Sequence, residues 1–235
     1  MKIIPAILTT DKKSFKEQIT RLLPYFDTFQ IDVQDGKFVP STTIALPEII
    51  ESTAFLLQDT RVDMSKVKLD FHLMLIDYYR ALKHIDELSG KIDVRYIFVH
   101  RNLTNISDKI SAKTKSKICP TLNPSDKDLV NPERTFLDKK VINFPAIQVM
   151  TIHPGPQGQE IDYSNLDKIK SLRSLGYQGE ILIDGSVNLD TAKHILTLEK
   201  NLQPNTLCVG SYLSKAEELE LGNRINTLKT LVSHL

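Results

Sequence analysis

Two spacings of apolar residues take turns along this chain from one end to the other. Short runs with β-type spacing predict strands at Lys2–Leu8, Thr28–Val33, Val67–Leu73, Arg95–His100, Lys117–Leu122, Ala146–Thr151, Glu180–Asp184 and Thr206–Val209. Between them, apolar residues recur every three or four positions, as Phe15, Ile19, Leu22 and Leu23 do, and this predicts amphipathic helices. The clearest are Ser14–Leu23, Tyr79–Leu88, Tyr163–Leu175 and Leu189–Leu196, with a last one near Arg224–His234. Eight strand–helix units with no linker or low-complexity break predict an α/β fold, a (β/α)8 TIM barrel, as one domain over residues 1–235. A doubly wound open sheet is the competing architecture. It would want a glycine-rich turn after the first strand, and Leu8-Thr9-Thr10-Asp11 is not one.

In a barrel the carboxyl ends of the strands share one face, where active sites are built. Asp32, His72, His100, Asn123, His153 and Asp184 all stand at or just after an expected strand end. A lone histidine in such a place is usually structural, but several of them with two aspartates point to a site. The most telling stretch is Gln30-Ile31-Asp32-Val33-Gln34-Asp35-Gly36, where a strand ends in two carboxylates and breaks at a glycine. Asp35 reads as a turn residue bonding the nearby backbone of Gly36. Asp32 reads differently, because a second Asp-Gly recurs downstream in Ile183-Asp184-Gly185-Ser186. Two aspartates at two strand ends can face one another across a single pocket.

Three late segments look able to hold a phosphate. They are His153-Pro154-Gly155-Pro156-Gln157-Gly158-Gln159, Asp184-Gly185-Ser186-Val187-Asn188 and Val209-Gly210-Ser211. Glycine lets backbone N–H groups approach an anion closely, and late loops of this barrel class often bind phosphate. Each loop alone is an ordinary tight turn; the three together predict a small phosphorylated substrate. Bulk composition narrows the partners further. A net charge of +1 offers nothing to a nucleic acid or an anionic membrane surface. The run Lys113-Thr114-Lys115-Ser116-Lys117 reads as a solvated helix end leading into a strand. Cys119 and Cys208 lie in apolar runs without metal spacing and read as buried thiols of a reducing compartment. The start Met1-Lys2-Ile3-Ile4-Pro5 does not read as a signal peptide, and no apolar segment nears the roughly 20 residues of a membrane span. A cytoplasmic chain is expected, with self-association into a homo-oligomer left open.

These segments, in this order, resemble the ribulose-phosphate 3-epimerase family. The likeness runs from Pro5-Ala6-Ile7-Leu8 through Asp32-Val33-Gln34-Asp35-Gly36-Lys37-Phe38-Val39-Pro40 and Asp70-Phe71-His72-Leu73-Met74. It continues in Val149-Met150-Thr151-Ile152-His153-Pro154-Gly155, Ile183-Asp184-Gly185-Ser186-Val187-Asn188 and Val209-Gly210-Ser211. The resemblance implies an isomerase of carbohydrate metabolism acting on a ketopentose 5-phosphate. It implies catalytic residues Asp32 and Asp184, and a divalent metal (Zn, Mn, Fe or Mg) at Gln30, Asp32, His72 and Asp184. It further implies substrate contacts from Met74, Met150, Gly155, Pro156, Gln157, Gly158, Gly185, Ser186, Gly210 and Ser211. Several positions depart from the family pattern. A metal histidine is Gln30, a substrate serine is Ala6, a walling methionine is Gln34, the asparagine before Pro-Gly is His153, and a loop glycine is Gln157.

Inverting a carbon beside a ketone needs one base and one acid on opposite faces, and stabilisation of the enediolate between them. Asp32 and Asp184 answer the first demand. A metal would answer the second, and a neutral amide at position 30 shifts preference from zinc towards ions that favour oxygen ligands. Two other functions compete: epimerisation of a different ketose phosphate, such as a hexulose 6-phosphate, and non-catalytic phosphosugar binding. Both aspartates are present, and a pure binder has no need of two opposed carboxylates.

Overall fold

The structure, a computed structural model, describes residues 1–58, 66–100, 109–126, 135–136, 139–155 and 158–233. Eight strands close into a parallel barrel in the order β1-β10-β9-β8-β5-β4-β3-β2. They are β1 (Lys2–Ile7), β2 (Thr28–Gln34), β3 (Lys68–Met74), β4 (Asp93–Val99), β5 (Ile118–Leu122), β8 (Ala146–Met150), β9 (Glu180–Asp184) and β10 (Thr206–Val209). Each falls within two residues of its expected place, and the closed ladder excludes the open-sheet alternative. A two-residue hairpin, β6 (Thr135–Phe136) with β7 (Lys139–Lys140), carries no sequence signal strong enough to predict it. A 3-10 turn stands at Tyr163–Leu166. The helices are α1 (Lys12–Leu22), α2 (Leu46–Gln58), α3 (Tyr78–Leu88), α4 (Ala112–Lys115), α5 (Asp167–Ser174), α6 (Leu189–Thr197), α7 (Ser211–Ser214) and α8 (Glu218–Ser233).

Helix starts are set by caps that periodicity alone misses. Asp11 accepts the Ser14 N–H at 2.9 Å, so α1 opens two residues before the expected Ser14. Asp77 caps α3 in the same way, accepting from Tyr79 N at 3.0 Å. The expected helix Tyr163–Leu175 divides into the 3-10 turn, capped by Asp162, and α5. Their apolar stripes face inward: Phe15, Ile19 and Leu22 from α1, and Ala81, Leu82, Ile85 and Leu88 from α3, are buried. No helix among the described residues is long and apolar enough to cross a membrane. Cys119 and Cys208 are buried thiols, and neither is in a disulfide.

Contacts group the residues into two compact units. Pro5–Val99 with Asn105–Ile118 holds β2, β3 and β4 with α1 to α4. There β2 pairs with β3 in unbroken register from Thr28↔Lys68 to Gln34↔Met74. The β3–β4 ladder slips between Leu69 and Asp70, so that Leu69 faces Val94 but Asp70 faces Tyr96. Arg95 is the extra residue of this bulge. Its guanidinium turns onto the buried Asp70 carboxylate, with Nε 2.9 Å from Oδ1. The lysine run near α4 is less solvated than its composition suggests. Lys117 donates to the carbonyl of Val94, and its partial burial holds its ammonium below the ordinary lysine range. The other unit, Met1–Ile4, His100–Thr104 and Cys119–Leu235, holds β8, β9 and β10 with α5 to α8. Its ladders place Met150 opposite Asp184 and Cys208 opposite Asp184.

Candidate active site

Side chains on a strand alternate between its two faces, so Gln30, Asp32 and Gln34 of β2 share one face. In register with them on β3 stand Asp70, His72 and Met74. All six are buried. His72 Nδ1 lies 3.1 Å from Asp32 Oδ1, and Gln30 donates to the same oxygen through Nε2 at 3.0 Å. A carboxylate only accepts, so the edge of the amide facing Asp32 is its N–H2. The Gln34 amide nitrogen stands 3.4 Å from the Met74 sulfur.

Asp35 does more than the local turn expected of it. Oδ1 accepts from Lys37 N and Phe38 N at 2.8 Å each, whereas Oδ2 accepts from Ile76 N at 2.8 Å, across to the loop after β3. Burial pushes its pKa up, but the bonds from Ile76, Phe38 and Lys37 outweigh that and hold it below the ordinary value of 3.8. The stabilising bonds are therefore complete above pH ~4 and are lost as pH falls through the lowered folded value. Asp35→Asn should cost about 1 kcal/mol at neutral pH. In thermal melts from pH 6 to pH 3, the gap between wild type and variant should close at the acid end.

The second set of groups lies on β8 and β9. Gln148 is fully buried, and its Nε2 donates to Asp184 Oδ2 at 2.8 Å. Its other edge is held by Thr121, whose hydroxyl donates to Oε1 at 3.2 Å. Beyond Asp184 the chain turns at Gly185, with φ +119, and a Cβ there would stand 2.6 Å from Ile152 Cγ1. No L side chain fits that combination without strain. Ser186 follows, also at positive φ (51°), with its hydroxyl donating to the Gln159 carbonyl. Thr151 donates to the Gly185 carbonyl at 2.6 Å. The loops after β8 and β9 are thus tied together. Gly155 and Gly158 also have positive φ, and Gly210 caps α7, which opens at Ser211. Pro156 and Gln157 lie outside the described residues.

Asp32, His72 and Asp184, all buried, each offer a ligand atom, and these atoms lie within 4.8 Å of one another. Two carboxylates and an imidazole form a donor set suited to a divalent cation. A model of the ribulose-phosphate 3-epimerase family matches residues 2–213 of the chain. The chain belongs to that family.

Curated relatives of this family agree over most of its length. A ribulose-phosphate 3-epimerase of Schizosaccharomyces pombe is 27% identical over 194 residues, 81% of this chain and 78% of that protein. One from Bacillus subtilis is 28% identical, covering 86% and 88%, and one from Mycobacterium tuberculosis is 30% identical, covering 80% and 77%. Among solved structures, a mutant tryptophan synthase alpha-subunit of Pyrococcus furiosus superposes with a TM-score of 0.63 over 99% of this chain and 98% of that one. At 15% identity it speaks for the barrel fold alone.

Of the other expected residues, Met74 and Met150 are buried on the strands that carry His72 and Gln148. His100 pairs with Asn123, Nδ1 to Oδ1 at 2.8 Å. His153 is exposed, and its backbone carbonyl accepts from the Gln159 side chain at 2.8 Å. Sequence reasoning passed over Gln148 and Thr121. The available signal was a glutamine inside the apolar run Ala146-Ile147-Gln148-Val149-Met150, the same anomaly as Gln30 between Phe29 and Ile31.

Proposed function

We propose that this chain inverts the carbon beside the ketone of a ketopentose 5-phosphate, interconverting ribulose 5-phosphate and xylulose 5-phosphate. The observation that carries the reading is the pair of buried carboxylates, Asp32 and Asp184, in one group with His72. One carboxylate takes the proton from one face of the carbon. The other, carrying a proton, delivers it to the opposite face. Gln30 and His72 hold Asp32 in place, and buried Met74 and Met150 offer apolar walls that keep water from the enediolate. Asp32, His72 and Asp184 are the residues that would hold a divalent ion, which when bound supplies positive charge for the enediolate oxygens. The substrate's phosphate is assigned to the tied loops carrying Gly155, Gly158, Gly185 and Ser186, with Gly210 and Ser211 beside them.

Incubating the protein and a divalent metal with several phosphorylated ketoses side by side tests this reading. Formation of xylulose 5-phosphate from ribulose 5-phosphate is expected. Faster turnover of a hexulose 6-phosphate would favour the alternative that Gln34 suggests, since a buried amide beside Met74 can meet a further hydroxyl. Binding without turnover of any of them would leave the phosphosugar-binder reading.

Metal preference offers a separate check. The Gln30 amide presents N–H2 to Asp32, so imidazole nitrogen comes from His72 alone within this group. Oxygen-favouring ions such as manganese or magnesium should be held relatively better than in a two-histidine site, and Gln30→His should raise zinc affinity about tenfold or more. Competition against a chromophoric chelator measures it directly. Unchanged zinc affinity would mean that position 30 does not reach the ion.

A further inference from the structure

We propose that Gln148, locked by Thr121, is a positioning residue that sets the orientation of the Asp184 carboxylate for proton transfer. The role rests on the epimerisation proposed above and concerns the same site. Gln148 sits mid-strand in β8, fully buried, in a run that is otherwise apolar but for its neighbours' backbone. A buried amide left without partners costs about 1–3 kcal/mol. Here both edges are engaged, Oε1 by the Thr121 hydroxyl at 3.2 Å and Nε2 by Asp184 Oδ2 at 2.8 Å. The two bonds differ in kind. The carboxylate only accepts, so it selects the flip of the amide that turns N–H2 towards Asp184, and the Thr121 hydroxyl holds that flip by donating to the Oε1 on the other edge. The charge-assisted bond then fixes one carboxylate oxygen in direction.

On the other strand pair, Gln30 does the same for Asp32, donating at 3.0 Å. Each of the two proposed acid/base groups thus has its own glutamine, and that of Asp184 is itself held by the Thr121 hydroxyl. Proton transfer to carbon is sensitive to direction, and a displacement of about 1 Å can cost 10²-fold in rate. Such an arrangement makes the two faces of the carbon separately dependent on separate glutamines.

The face dependence supplies the test. Gln148→Leu keeps the volume and deletes the donor. It should lower kcat by about 10- to 100-fold with KM changed less than about threefold, because the phosphate loops are untouched. In deuterated buffer, one epimer gives its proton to Asp184 and the other to Asp32. The variant should lose solvent exchange from the first epimer and keep it from the second. A merely structural role would depress both alike. Thr121→Val should show the same one-sided loss at smaller size, and Thr121→Ser, which keeps the hydroxyl, should recover most of it. Should Gln148→Leu fail to fold, the Thr121 pair carries the test. Unchanged kcat, or an equal loss of exchange from both epimers, overturns the role of Gln148 while leaving the epimerase reading intact. A wild-type protein without turnover or exchange overturns both.

Discussion

Asp32→Asn and Asp184→Asn should each lower turnover by about 10² or more. Asparagine keeps the shape of the side chain but can neither take nor deliver the proton. Both residues are buried and belong to one group with His72, so neither is replaced by bulk water as a base. If the two serve opposite faces, either substitution abolishes inversion. The surviving carboxylate can still remove a proton and return a deuteron on its own face. Exchange without inversion, from a different epimer in each variant, is therefore the expected signature, read by the mass gain of recovered substrate in deuterated buffer. Equal residual inversion in both variants would mean that another group supplies the acid or base.

Asp70→Ala should cost about 3–5 kcal/mol, the largest stability loss expected in the molecule. Asp70 is fully buried on β3, two residues before His72. Its Oδ1 accepts from Arg95 Nε at 2.9 Å and from Tyr96 N at 3.1 Å, and Oδ2 takes a second guanidinium bond. Removing the carboxylate leaves a mostly buried guanidinium without this partner, which is costlier than the pair is stabilising. Replacing both partners by apolar residues, Asp70→Leu with Arg95→Met, should recover much of the loss. Urea melts that give a lower midpoint at unchanged slope for the single variant, and a midpoint near wild type for the double, would bear this out. A single variant as stable as wild type would show that solvent reaches Arg95.

Much of this architecture was legible in the sequence because it is written locally. Strand and helix periodicity depends on residues a few positions apart, and the eight barrel strands appear where alternation placed them. The strand-end aspartates and His72 were legible for the same reason: a polar residue at the end of an apolar run, next to a glycine turn, stands out within a dozen residues. The glycine at 185, with φ +119, follows from the same local punctuation.

Other features depend on which strand lies beside which, and in what register. The bulge at Arg95 shifts the pleat of β4 by one residue against β3, which local alternation cannot show. Asp35 looked like a turn residue because its partner Ile76 N is 41 positions away. Gln148 and Asp184 meet across 36 positions, and Thr121 reaches Gln148 across 27. Sequence placed a carboxylate at each of two strand ends. Only the paired strands decided which amide holds each one, since a hydrogen bond about 3 Å long is set by register and pleat rather than by residue type.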